Sequence, residues 1–275
     1  VYVDDVVLDV LPTCPKPQGL TAGNSTANSI DLSWTETGSA TAWVVEYGPA
    51  GFVLGTGTTL NVTGTPSTTV SGLNSSSTYD FYVQADCGGG DTSVWSHVVS
   101  LNTSCVAITI PYTQNFDSLG TGSGVLPTCW TGSNNYSTTT HYPYMSSSYH
   151  YSGNASLYFY SSSSTYNLAV LPPVDVTINP INTLQLNFMM RSTSGITSHI
   201  VVGVMTNPDD ISTFVPVDTV TNSVTATFEE MEVPLATYAG SGAYVALKLY
   251  NTSSTYSVYV DDVVLDVLPT CPKPQ

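Results

Sequence analysis

Residues 28–47 read NSIDLSWTETGSATAWVVEY: apolar Ile30, Leu32 and Trp34 alternate with Asp31, Ser33 and Thr35, and after a polar Gly-containing turn Trp43, Val45 and Tyr47 do the same. A period of two is the pattern of half-buried β-strands rather than helices. The pattern recurs in STTVSGL (67–73), STYDFYVQA (77–85) and SVWSHVVSL (93–101), with Gly, Asn and Ser clusters between the runs. Short strands at this spacing predict a β-sandwich.

Composition agrees. The 275 residues carry only 4 Lys and Arg against 20 Asp and Glu, a net charge of −16, with 9% charged residues where an average domain has about 25%. Hydroxyl residues supply the polar surface, and helix formers such as Glu, Lys and Arg are scarce. Counterion release needs clustered cations, so nucleic acid is excluded as a partner, as is a basic membrane-surface role. The apolar runs stop well short of the 18 or so residues of a membrane span. With 18 Tyr, 7 Phe and 4 Trp among many Val, Leu and Ile, the chain can nevertheless build a core. Trypsin-like proteases would find only Lys16, Arg191, Lys248 and Lys273. These features predict an extracellular, secreted or cell-surface protein.

The chain also repeats itself. VYVDDVVLDVLPTCPKPQ occupies residues 1–18 and, unchanged, residues 258–275, so the two starts lie 257 residues apart. An 18-residue identity is not chance, and the simplest reading is one period of a tandem array plus the start of the next. Residues 1–11 are then the last strand of a preceding unit, 12–104 a first domain, 105–270 a second, and 271–275 the start of a following unit. Neighbouring copies, arranged head to tail, are the implied partners. The competing reading is a duplicated edge strand within one domain.

Cys14 and Cys271 are equivalent under this offset, which leaves Cys14, Cys87, Cys105 and Cys129 in each period. An even count suits a secreted disulfide framework. The favoured pairing is Cys87 with Cys105 and Cys129 with Cys271, with Cys14 bonded to the neighbouring unit. No C-x-x-C pair is present, so the pattern does not suggest zinc.

The first domain resembles the fibronectin type III family through Pro15, Leu20, Trp34, Tyr47, Leu73, Thr78 and Tyr79. The resemblance implies a two-sheet sandwich with Trp34 in its core and Tyr79 as the corner tyrosine. The run from Cys87 to Asp91 has no following Lys and no helix, so it reads as a turn rather than a phosphate loop.

In the second domain, longer apolar strands follow one another: SLYFY, NLAVLP, NTLQLNFMMR, HIVVGVM, FVPVDTV, TFEEMEVPL, AYVALKLY and VYVDDVVLDV. Together the readings give an all-β chain of two antiparallel sandwiches in tandem, the second of jelly-roll type. PYTQNFD (111–117), LPTCW (126–130), VGVMTNPDDISTFVPV (202–217) and VYVDDVVL (258–265) resemble the MAM-like, cleaved-adhesin sandwiches of secreted tandem-repeat adhesins of Bacteroidota. That resemblance implies a structural calcium on Asp117, Asp261 and Asp262, hard oxygen donors of the type calcium takes. The alternation in the last strand slips at the Asp pair, as a bulge would make it do. Asp209 and Asp210 read as a hairpin turn.

Residues 134–166 gather tyrosines among Ser and Thr, and Tyr142, Tyr144, Tyr149 and Tyr151 are the candidates for ligand or interface contact. Tyr offers a flat apolar face and a polar tip at small entropic cost. Tyr158 and Tyr160 read as ordinary strand residues. Glycans or host and cell-surface proteins are the partners such a patch suits. Asn24, Asn61, Asn74, Asn102, Asn135, Asn154 and Asn251 lie in N-x-S/T triplets, while Ser118 and Thr219 sit in contexts resembling Bacteroidota O-glycosylation sites.

His97, His141, His150 and His199 stand in no catalytic motif, and GTGSG (120–124) lacks the nucleophile-elbow spacing. The sequence therefore predicts a non-catalytic unit of a long extracellular adhesin or filament. The alternative is a carbohydrate-binding module of a secreted hydrolase.

Overall fold

In a computed structural model, residues 12–117, 120–135, 143–161, 165–193, 195, 197–251 and 256–270 are described. The chain divides into two compact units, Val1–Val106 and Ala107–Gln275. Half of the described residues are strand and 3% helix, and among them no helix is long and apolar enough to cross a membrane.

The first unit has two sheets. Strands β1 (Gln18–Gly23), β2 (Ser29–Thr35) and β5 (Ser67–Ser71) form one. Strands β3 (Ala42–Pro49), β4 (Thr58–Thr63), β6 (Thr78–Gly88), β7 (Asp91–Thr92) and β8 (Val99–Asn102) form the other, in the order β4-β3-β6-β7 with β8 also on β6. The alternating residues of the sequence meet between them: Ile30, Leu32 and Trp34 from one sheet, Trp43, Val45, Phe81 and Val83 from the other, all buried. Trp34 and Trp43 pack edge to face, with ring centroids 5.6 Å apart. Tyr79 closes the corner, its phenol oxygen accepting the Asn74 N–H at 3.0 Å. Two buried acids hold the β3–β4 turn: Glu46 accepts Gly55 N–H at 2.7 Å and Gly57 N–H at 2.8 Å, and Asp80 accepts Gly51 N–H at 2.7 Å.

The expected disulfide pairing is corrected here. Cys87 bonds Cys14, with Cα atoms 5.8 Å apart, so neither Cys87–Cys105 nor a bond from Cys14 to a neighbouring unit holds. The reason is register. β8, which leads into Cys105, pairs with the opposite end of β6, Asn102 facing Thr78. Nine residues of strand separate Thr78 from Cys87, about 30 Å. Cys105 lies beside Ser76, and both it and Cys129 are disulfide-bonded. Cys271 lies outside the described residues, as do Val1–Leu11 and the strand expected there.

The second unit begins with β9 (Tyr112–Gln114), β10 (Thr131–Asn134) and β11 (Tyr144–Ser146). Eight further strands follow: β12 (Ser156–Ser161), β13 (Thr165–Val170), β14 (Leu184–Ser192), β15 (His199–Met205), β16 (Val215–Thr221), β17 (Glu229–Pro234), β18 (Tyr244–Asn251) and β19 (Tyr256–Val267). They pair antiparallel in nested fashion: β12 with β19, β13 with β18, β14 with β17 and β15 with β16. The long hairpin so formed rolls into two sheets, β11-β12-β19-β14-β17 and β10-β13-β18-β15-β16, with β9 added against β19. This is the jelly-roll order. Leu186, Phe188 and Val260 of one sheet and Val202, Leu247 and Leu249 of the other share the core. The two motifs near its start meet inside, Phe116 packing edge to face on Trp130 while the indole N–H donates to Tyr112 at 2.8 Å.

β19 is the middle strand of its sheet, and its phase slip is a bulge. Met189 faces Asp261 and Asn187 faces Val264, so Asp262 and Val263 together oppose Phe188. Asp262 takes a left-handed backbone, φ 45°. The extra residue brings Val258, Val260, Val263 and Leu265 onto the same buried face.

Candidate functional site

On the face of the β19 sheet turned away from the core, four residues stand in register across four strands. Tyr144 of β11 faces Tyr158 of β12, which faces Tyr259 of β19, which faces Arg191 of β14. Their neighbours Met145, Leu157, Val258 and Met190 point into the core, so alternation alone puts these four outside. Tyr144 and Tyr158 meet edge to face at 5.4 Å, and Tyr158 and Tyr259 stack at 4.7 Å. Such cross-strand aromatic pairs stabilise a sheet by about 0.2–1 kcal/mol each.

A loop from the β11–β12 connection lies over this row. Tyr149 covers the Arg191 guanidinium, whose carbon is 3.6 Å from the ring centroid, and meets Tyr259 edge to face at 5.1 Å. Tyr151 contacts Phe228 at 5.9 Å. Both loop tyrosines keep about half their surface in solvent, 47% and 56%.

Acidic residues fasten the loop from below. Asp261 is fully buried, and its carboxylate accepts the N–H groups of Tyr151 at 2.6 Å, Ser152 at 3.2 Å and its neighbour Asp262 at 2.8 Å. Asp262 accepts the Ser152 hydroxyl at 2.7 Å. Asp117 accepts the Asn154 N–H at 2.8 Å and the Asn115 amide at 3.0 Å. Between them Gly153 has φ +53°, and a side chain there would run into the Asp117 carboxylate, 1.7 Å from the ideal Cβ position. Only glycine fits.

Burial sets the electrostatics. It pushes the Tyr259 phenol up to about 12, with the phenols of Tyr158 and Tyr149 adding to the effect and Arg191 opposing it. Burial likewise raises Tyr144. Asp261 is held above the usual carboxylate range by burial, against the pull of its three N–H donors. Arg191 donates its Nε–H to the Ala226 carbonyl at 3.1 Å, while its buried Nη1 has no hydrogen-bond partner among the described residues.

The two regions singled out in the sequence, the acids and the tyrosines, are thus one site. Asp117, Asp261 and Asp262 converge on residues 151–154, and Tyr149 and Tyr151 ride on that same segment, with Tyr144 beside them. Among the described residues, however, no three His, Cys, Asp or Glu come together as a metal cluster. Tyr142 and Ser118 lie outside the described residues. Thr219 is exposed on edge strand β16, away from this face. Asp210 caps a single 3₁₀ turn, Ile211–Thr213, by accepting the Ser212 N–H at 2.9 Å and hydroxyl at 2.7 Å. Tyr158, Tyr259, Phe228 and Arg191 were not predicted. Alternation in SLYFYS, SVYVDD and NFMMRS gives each its outward direction, but not which strands are neighbours. On the first unit, a depression of about 590 Å³ is lined by polar groups that already bond one another, such as Thr21 with Ser33 at 2.9 Å and Thr69 with Asp31 at 2.6 Å.

The sandwich of β1–β8 encloses Trp34 and ends in the Tyr79 corner. Residues 15–101 match the fibronectin type III domain model. No curated protein matches the sequence. Among solved structures the chain is similar to the FN5 domain of Drosophila Lar, at 20% identity and TM-score 0.30, over 34% of this chain and 100% of that one. The K1 cleaved adhesin domain of Lys-gingipain from Porphyromonas gingivalis W83 matches at 14% identity and TM-score 0.44, over 58% of this chain and 100% of that one. The K3 domain of the same gingipain matches at 15% and 0.39, over 56% and 96%. These scores carry no argument about function. The matched residues lie in the sandwich of the first unit, and the aromatic site lies in the second.

Proposed function

We propose that this chain is a non-catalytic unit of a tandem-repeat extracellular adhesin or filament, joined head to tail to neighbouring copies. The observation that carries the reading is the repetition of VYVDDVVLDVLPTCPKPQ at residues 1–18 and 258–275. In the second occurrence these residues supply β19, with core side chains on one face and Tyr259 and Asp261 buried on the other. A sequence so specialised needs a β12 and a β14 on either side. In this chain that place is taken by residues 256–267, so the first occurrence suits the equivalent sheet of an adjoining unit. The Cys14–Cys87 bond supports an oxidising, extracellular setting. By the repeat offset, Cys271 corresponds to Cys14, and its equivalent partner is the Cys87 counterpart of the following unit.

Electron microscopy of native material tests this. Filaments with a regular two-domain repeat are the expected result, and compact isolated particles would overturn it.

A second reading concerns what such a unit touches. The half-exposed Tyr149 and Tyr151 favour stacking of a glycan on the second unit, whether in a fibre or beside a hydrolase. Calcium is a proposal for the same corner. Asp117, Asp261 and Asp262 supply hard oxygens, their described hydrogen-bond partners are amides and hydroxyls rather than cationic side chains, and burial disfavours the Asp261 charge. Bound there, the ion would neutralise the charge that main-chain N–H groups otherwise offset.

A further inference from the structure

Arg191 is a cation enclosed by aromatic rings in a chain of net charge −16. Its described partners are one carbonyl, that of Ala226, and the faces of Tyr149 at 3.6 Å and Tyr259 at 5.9 Å. No carboxylate is among them, and Nη1 is buried without an acceptor among the described residues. A buried guanidinium is ordinarily paired with an anion, and its fork geometry matches a carboxylate. The Ala226 carbonyl fixes the Nε side of the fork, which leaves the Nη1 side to be satisfied.

Tyr149 covers a face of the guanidinium. Tyr149 is half exposed, so rotation of its side chain uncovers the guanidinium without any change in the main chain, a motion of ps to ns for an exposed residue. The main chain itself stays tethered, because the Ser156 hydroxyl donates to the Tyr149 carbonyl at 2.6 Å and Asp261 holds the next residues. The Tyr259 ring lies beside the guanidinium, and its hydroxyl is a hydrogen-bond donor for an anion held there. Tyr149, Tyr151 and Phe228 provide flat apolar surface around the opening.

We propose that this face recognises a sugar bearing a single carboxylate, of the uronic acid type, with Arg191 reading the charge and the surrounding rings stacking on the sugar. The proposal rests on the glycan reading of the tyrosine face given above. Long polyanions do not suit it, because the acidic chain repels them at every residue beyond the one that meets Arg191.

The test compares methyl β-D-glucuronide with methyl β-D-glucoside, which differ only at the carboxylate, by NMR titration of the full chain. The glucuronide should bind about tenfold more tightly or better, the scale of one charge-assisted hydrogen bond. Arg191→Gln should abolish that preference, so that the two sugars bind alike. Tyr149→Ala, which removes the cover but keeps the cation, should retain the preference and show that the fold tolerates changes here. Equal binding of the two sugars, or a preference that survives Arg191→Gln, overturns the role of Arg191 while leaving the glycan reading in place. Binding of neither sugar overturns both.

Discussion

The carboxylate of Asp261, in the last strand of the second unit, accepts the main-chain N–H of Tyr151 at 2.6 Å across 110 residues of sequence. That bond joins the buried bulge of β19 to the exposed segment carrying the loop tyrosines. An acid in the middle strand therefore sets where Tyr149 and Tyr151 stand.

Replacing Asp261 by Ala leaves the N–H groups of Tyr151 and Ser152 without their acceptor and is expected to cost about 3 kcal/mol, as for hydrogen bonds to a buried charge. Gly153→Ala should act on the same segment from the other side, by driving a methyl group into Asp117 and straining a left-handed residue. In both variants Tyr149 should leave Arg191. The NMR signals of the Arg191 side chain, shifted upfield beneath the ring, would then return to ordinary positions. Unmoved signals would show that the loop is held by something else.

The Cys14–Cys87 bond closes a loop across 73 positions, which constrains the unfolded chain by about 4 kcal/mol in the chain-entropy model. Cys14→Ser should therefore lower the melting temperature of the first unit by about 10 °C or more. Peptide mapping of the unreduced protein checks the connectivity directly. A peptide joining Cys87 to Cys105 would contradict it.

The alternation of Ile30, Leu32 and Trp34 was sufficient to read the sandwich from sequence, because each strand there has one dry face and one wet face. Tyr79 was legible for a similar reason, since the residues around it form a recurrent local pattern. The disulfide was not. Cys87 and Cys105 look adjacent along the chain, but which end of β6 each occupies depends on the pairing of Thr78 with Asn102. The site was half legible. Tyr149, Tyr151 and the Asp pair announced themselves by clustering and by a slip in alternation, whereas Arg191 joins them only through the pairing of β14 with β19. Strand neighbours separated by 68 positions leave no local mark.

Tyr259 gives a test at alkaline pH. Its folded value, about 12, lies above the unfolded value near 10, so the unfolded chain loses its proton first. Stability from this group is whole below about pH 10 and is lost as pH rises toward 12. Denaturant melts of the protein and of Tyr259→Phe should diverge in that window, with the variant falling less steeply. Parallel curves would mean that the phenol is not shielded.

Calcium can be judged by melting. If the ion binds Asp117, Asp261 and Asp262, a chelator should lower the melting temperature of the second unit by several degrees, and added calcium should restore it. Asp261→Asn should remove the response. A melt indifferent to chelator would take calcium out of the site.

The nested pairing of the second unit also governs how it is made. During synthesis β14 emerges with β12 already made, yet the strand that must lie between them, β19, is translated last. Leu157 of β12 and Leu186 of β14 lie on strands that β19 joins. A chain made only as far as β18 therefore carries β12 and β14 with a place the width of a single strand between them.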